Sequence, residues 1–169
     1  QIPILKEHAL FKYPKYETPD VTVDSPKVAV LRDGGSKGHL AYAMACRQAG
    51  FMVTDITLRD LEYGHETLDA FDGLIVSGGF SFNDMPEPGR AWAKAIVHKN
   101  EHVLKSFETF FKRKDAFTIG IGNGCHALMH LRSLIPGSDE WPMWLENESE
   151  QFECRYVNVV IPENKHFLF

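Results

Sequence analysis

Four short apolar runs, separated by longer amphipathic stretches, set the organisation of this chain. Lys27-Val28-Ala29-Val30-Leu31 is β-rich and almost wholly apolar, the signature of a strand buried on both faces. Phe51–Leu58, Asp72–Ser77 and Phe117–Ile121 repeat that signature. Between them, His39–Gly50 predicts a helix, with Leu40, Met44 and Arg47 at helical intervals and Gly50 as its stop. Ala91–Lys112 predicts one long helix carrying Trp92, Ile96, Val103, Leu104, Phe107 and Phe111 on its apolar side. A further helix is expected over Asn123–Leu134. Phe152–Ile161 alternates enough to predict another strand. Strands alternating with helices give a flavodoxin-like α/β fold, a doubly wound, mostly parallel sheet with helices on both faces. Functional groups then belong at the C-terminal strand ends.

Residues 1–26 break this pattern. Prolines at 3, 14, 19 and 26 and the lack of any period predict an extended linker lying along something else. The domain proper is expected over 27–169. Such a linker suggests a preceding domain, or a partner surface on which it is ordered.

The chain has 169 residues, enough for one domain with a core. Its net charge of −5 argues against nucleic acid as the main partner. Lys112-Arg113-Lys114 reads as the cationic end of a helix rather than a binding patch. Cys46, Cys125 and Cys154 are odd in number and match neither a disulfide framework nor a zinc spacing, which points to a reducing compartment. No apolar run approaches a membrane span. Gly34-Gly35-Ser36-Lys37-Gly38 lacks the register of a phosphate loop and reads as a tight strand–helix turn.

The most informative stretch is Gly120-Ile121-Gly122-Asn123-Gly124. A buried strand turning sharply into a helix is the setting of a nucleophile elbow, which holds one reactive side chain above a helix N-terminus. At its tip stands Gly122, which has no side chain. Cys125 lies three residues on, inside the first helical turn, where its side chain projects from a different part of the element. It reads as small-residue packing.

Several segments together carry a family resemblance. They are Val28–Leu31 with Arg32, Gly78-Gly79-Phe80-Ser81 with Asp84, Trp92-Ala93-Lys94, Gly120-Ile121-x-Asn123-Gly124-Cys125, Leu134-Ile135-Pro136-Gly137-Ser138, and Asn147-x-Ser149-x-x-Phe152-Glu153-x-Arg155. This ordered set resembles the C-terminal class I glutaminase domain of large-type phosphoribosylformylglycinamidine synthase, from about Lys27 to the last residue. The resemblance implies a class I glutaminase-like fold. In that family an elbow Cys attacks the glutamine amide, a His and a Glu activate it, and ammonia passes to an ATP-dependent synthetase domain.

Carried over by position, the resemblance puts Gly122 where the family has its nucleophile. It implies a vestigial oxyanion hole from the backbone of Gly79 and Asn123, and a vestigial glutamine pocket from Gly78, Phe80 and Ser81. Phe82, Asn83 and Met85-Pro86-Glu87-Pro88 depart from the family's pocket lip, as do Lys37 and Ala41 in the first strand–helix turn. The family's His and Glu belong to an H-P-E segment that this sequence lacks, so the domain is expected to be incomplete at its C-terminal end. His65-Glu66 reads as a surface turn, and His126 and His130 lack a metal-site pattern.

The expectation is therefore a glutaminase-dead domain kept as a structural or interaction module of a larger assembly. Its partners would be other protein domains, met through residues 1–26 and the pocket face around Gly79 and Gly122. The alternative is a fragment or mutant of a working synthase. No cofactor or metal is expected in this chain; ATP and Mg belong to the family's separate synthetase domain. The resemblance implies a cytoplasmic protein, an organelle being the other option.

Overall fold

A computed structural model describes residues 19–81, 86–158 and 160. Four parallel strands form the sheet, in the order β3-β1-β4-β6. They are β1 (Lys27–Arg32), β3 (Met52–Thr57), β4 (Gly73–Val76) and β6 (Phe117–Gly120). The doubly wound parallel α/β architecture expected from the apolar runs is what forms.

A parallel sheet must be covered on both faces, and β1 shows how. Its residues Val28 to Leu31 are wholly buried. Ala29 and Leu31 point into the larger core with Trp92, Ile96, Phe107 and Leu128. Val28 and Val30 point the other way, where Ile75, Tyr42, Ala43 and Cys46 pack. The period of two thus divides one strand between two helical layers.

Helix α1 (His39–Gln48) covers the second face. Its contact side differs from the spacing-based expectation. Leu40 and Met44 are 68% and 64% exposed, and Tyr42, Ala43 and Cys46 meet the sheet instead. With alanine at 41, 43 and 45, the helix has no sharply apolar stripe, so spacing alone selects the wrong side. A short helix α2 (Leu58–Glu62) follows β3 directly. Thr57 caps it in a reciprocal box with Asp60.

The long helix expected over Ala91–Lys112 is two helices, α3 (Pro88–His98) and α4 (Glu101–Lys112). Asn100 is the reason. Its side chain accepts the His102 N–H at 2.8 Å, starting a new helix after a break at Lys99. Helix α5 (Asn123–His130) follows β6, and a 3₁₀ turn (Arg132–Leu134) ends the segment expected to be helical throughout. The strand expected over Phe152–Ile161 is not formed among its described residues, which extend from the body exposed. Alternating pattern cannot make a strand without a neighbour to bond to. Of the linker expected at 1–26, residues 1–18 lie outside the described set. Residues 19–26 lead into β1, with Pro19 against Gly50.

Candidate functional site

The site lies at the C-terminal ends of β4 and β6, where a parallel sheet presents functional groups. Each strand end carries its own backbone device.

At β6 the chain reverses through Ile121 and Gly122 into α5. Ile121 N–H donates to Val76 O at 3.1 Å, Gly124 N–H to Ile121 O at 2.9 Å, and Cys125 N–H to Gly122 O at 3.0 Å. Gly122 takes φ 54° and ψ −118°, a combination that side chains adopt only under strain. The elbow geometry therefore persists although its tip is bare. Room for a side chain persists too: a Cβ built on Gly122 would stand 3.7 Å from Gly78 Cα, an ordinary contact. The glycine at the tip is not imposed by crowding.

Gly124 is different. A Cβ there would lie 2.0 Å from Val76 O, so α5 approaches β4 as closely as backbone permits. This contact fixes the helix N-terminus against the strand end. Among the described residues the Asn123 amide has no intramolecular acceptor, which leaves it as a donor at the head of α5.

At β4 the chain continues through Ser77 into β5 (Gly78–Gly79), paired antiparallel with β2 (Ser36–Lys37). The Gly-rich first turn thus becomes a strap across the second, a pairing that its composition did not announce. Phe80 N–H donates to Gly35 O at 2.9 Å. Ser36 and Gly79 are then a non-hydrogen-bonded pair, and the Gly79 amide points away from β2. Gly79 has φ 99°, and a Cβ on it would meet Lys37 N at 2.4 Å. Gly78 abuts the elbow, since its Cβ would lie 2.8 Å from Ile121 O.

The structure thus brings together Gly78, Gly79, Gly122 and Asn123. Phe80 is half-exposed beneath the Lys37 ammonium, 4.9 Å from its ring centre. Ser81 is buried, with its hydroxyl 3.4 Å from that of Ser36. Of the lip residues, 82–85 lie outside the described set.

Cys125 sits behind the elbow. Its thiol donates to Gly120 O at 2.9 Å, and burial pushes it up from the ordinary thiol range. A protonated, hydrogen-bonded thiol is a poor nucleophile. Two described histidines are placed elsewhere. His65 is at the surface, 3.9 Å from Asp60, and His126 stacks edge-on against Trp144 at 5.2 Å. Among the described residues no group of three His, Cys, Asp or Glu side chains is placed to hold a metal ion.

Beside the site, Ser77 was not singled out from the sequence, and Asn123 was singled out for its backbone alone. Ser77 Oγ and Asn123 Nδ2 are buried without a hydrogen-bond partner among the described residues. Such orphans call for an explanation, and both flank the strand ends where a ligand would bind. The only signal for Ser77 was a hydroxyl closing an otherwise apolar strand. No described helix is long and apolar enough to cross a membrane.

Comparison with known proteins agrees with this architecture. Residues 25–169 match the family model described as a CobB/CobQ-like glutamine amidotransferase domain. Among solved structures, PurLQS from Thermotoga maritima superposes with a TM-score of 0.59 at 25% identity, covering 79% of this chain and 54% of that one. The chain therefore spans about half the length of that relative.

Proposed function

This chain belongs to the CobB/CobQ-like glutamine amidotransferase family, and from that premise we propose that it is a glutaminase-dead member related to phosphoribosylformylglycinamidine synthase. In this reading it serves as a structural or interaction module beside an ATP-dependent synthetase.

The observation that carries the reading is Gly122. The turn that should present a thiolate keeps its strained backbone and has room for a side chain, yet has none to offer. The amides of Gly79 and Asn123 would still stabilise an oxyanion, but nothing is present to form one. Removing a nucleophile lowers turnover by about 10⁶-fold, roughly 8 kcal/mol of barrier. Cys125 does not substitute, because its thiol is protonated by burial and faces Gly120 O rather than the pocket. What remains of use is shape: bare strand ends at Gly78 and Gly122, edged by Phe80 and by buried polar groups at Ser77 and Asn123.

The test is ammonia release from glutamine by the purified chain, beside co-elution with the synthetase chain of the same organism. No ammonia release together with a stoichiometric complex supports the reading. Clear glutaminase turnover by the unmodified chain overturns the first half, and absence of any complex overturns the second.

A further inference from the structure

Helix α1 meets the sheet through Tyr42, Ala43 and Cys46 and turns Leu40, Ala41, Met44 and Ala45 outward, all four exposed. The outward side of a surface helix is ordinarily polar. Here it is apolar along most of its length, with Leu40 and Met44 one helical turn apart as its two large side chains. Among the described residues nothing covers them.

The chain's own entry point lies at one end of this stripe. Pro19 packs on Gly50, just past the C-terminal end of α1, with its Cβ 3.2 Å from the position of a Gly50 Cβ. The residues before Pro19 in sequence are Tyr13-Pro14-Lys15-Tyr16-Glu17-Thr18. Tyr13, Tyr16 and Pro19 recur at every third position, which is the period of a polyproline II chain. Pro14 and Pro19 favour that conformation by restricting Tyr13 and Thr18 to extended backbone. Such a chain puts Tyr13, Tyr16 and Pro19 on one face and Lys12, Lys15 and Thr18 on another.

We propose that the outward side of α1 is a docking surface for residues 13–18 of this chain, laid antiparallel to the helix with Tyr16 on Met44 and Tyr13 on Leu40. The two repeats match in length. Three polyproline II residues, Tyr16 to Pro19, advance about 9 Å, and the rise from Met44 to Gly50 is also about 9 Å. Pro19 on Gly50 thus sets Tyr16 level with Met44. Tyr13 comes about 19 Å along, within a tyrosine ring's reach of Leu40 at about 15 Å. A second copy would compete against a tethered segment whose effective concentration is on the order of millimolar.

The consequence is positional. Helix α1 begins directly after the β2 strap and ends at Gly50, at the opposite end of the sheet. A segment running back along it delivers the chain before Tyr13 to the end of the domain that carries Gly79 and Gly122. The docked segment then fixes where that chain meets the site, whatever chemistry the site performs, so this inference stands apart from the glutaminase-dead reading.

The test is oxidation by hydrogen peroxide, read residue by residue by mass spectrometry at several protein concentrations. Met44 is the reporter and Met143, 47% exposed on a different part of the molecule, is the internal control. The expected result is Met44 oxidation at least about threefold slower in the unmodified chain than in a Tyr13→Ser, Tyr16→Ser chain, at a rate independent of concentration. Met143 should react equally in both chains, and the amides of Val28 to Leu31 should exchange slowly in both, which shows that the fold is kept. Equal Met44 rates in the two chains overturn the proposal. Protection of Met44 that grows with protein concentration also overturns it, because a second copy then covers α1.

Discussion

Gly122 faces Gly78 at the ends of neighbouring strands, with 3.7 Å between the position of a Gly122 Cβ and the Gly78 Cα. Two glycines in apposition at the ends of neighbouring strands leave a slot one side chain wide. The slot is open from the Gly122 side alone, because a Cβ on Gly78 would press on Ile121 O at 2.8 Å.

Gly122→Cys is therefore expected to fold, with a stability loss of about 1–3 kcal/mol from placing a side chain at φ 54°. The new thiol stands at the N-terminus of α5, where the helix favours the thiolate. Alkylation followed by mass spectrometry at neutral pH should show it reacting well before Cys125. Restored ammonia release is not expected, since the sequence has no H-P-E segment to supply a base and its orienting acid.

Gly124→Ala tests the close approach of α5 to β4. The added Cβ would meet Val76 O at 2.0 Å and Val76 C at 2.7 Å, and backbone cannot swing aside as a side chain can. A loss of about 3 kcal/mol or more in chemical denaturation is expected. A loss below about 1 kcal/mol would mean that α5 slides freely on the sheet.

The strands and the elbow were legible because each is written in local chemistry. Val28–Leu31 is apolar at every position, and Gly120-Ile121-Gly122-Asn123-Gly124 combines a strand end with glycines at set intervals. Features decided by tertiary partners were not legible. Leu40 and Met44 have helical spacing, yet the sheet selected the side bearing Tyr42 and Cys46. The β2–β5 strap depends on two Gly-rich turns far apart in the chain meeting, Ser36 with Gly79 and Lys37 with Gly78, which neither turn encodes alone. The break before α4 was legible in principle, since Asn100 is a good cap, but the apolar spacing runs through it.

The Thr57–Asp60 box supplies a pH-dependent increment. Thr57 Oγ1 donates to Asp60 Oδ2 at 2.7 Å and Thr57 N–H to the same oxygen at 2.8 Å. These bonds hold the Asp60 carboxyl below the ordinary carboxylate range, helped by His65 and Arg32. A group depressed on folding stabilises the fold above its unfolded value and loses that contribution as pH falls through its folded value. Asp60→Asn is expected to destabilise by about 1 kcal/mol at neutral pH. The gap from the unmodified chain should close below about pH 4, measured by urea titration across pH. A gap that stays constant down to pH 2 would remove the carboxylate from the explanation.

Cys125 offers the sharpest separation between a bystander and a hidden nucleophile. Its thiol is pushed up by burial and donates to Gly120 O, which an elbow nucleophile would not do. Reaction with iodoacetamide should accordingly be slow at neutral pH and rise only above the ordinary thiol range, around pH 8.5. Cys125→Ala removes one hydrogen bond to Gly120 O and one small half-buried group, for an expected loss of about 1 kcal/mol. Calorimetric titration with glutamine should give the same result for the alanine variant as for the unmodified chain, because the thiol is directed at Gly120 O. A thiolate-like rate at pH 7, or a glutamine titration that differs between the alanine variant and the unmodified chain, would return Cys125 to the site and reopen covalent chemistry for this chain.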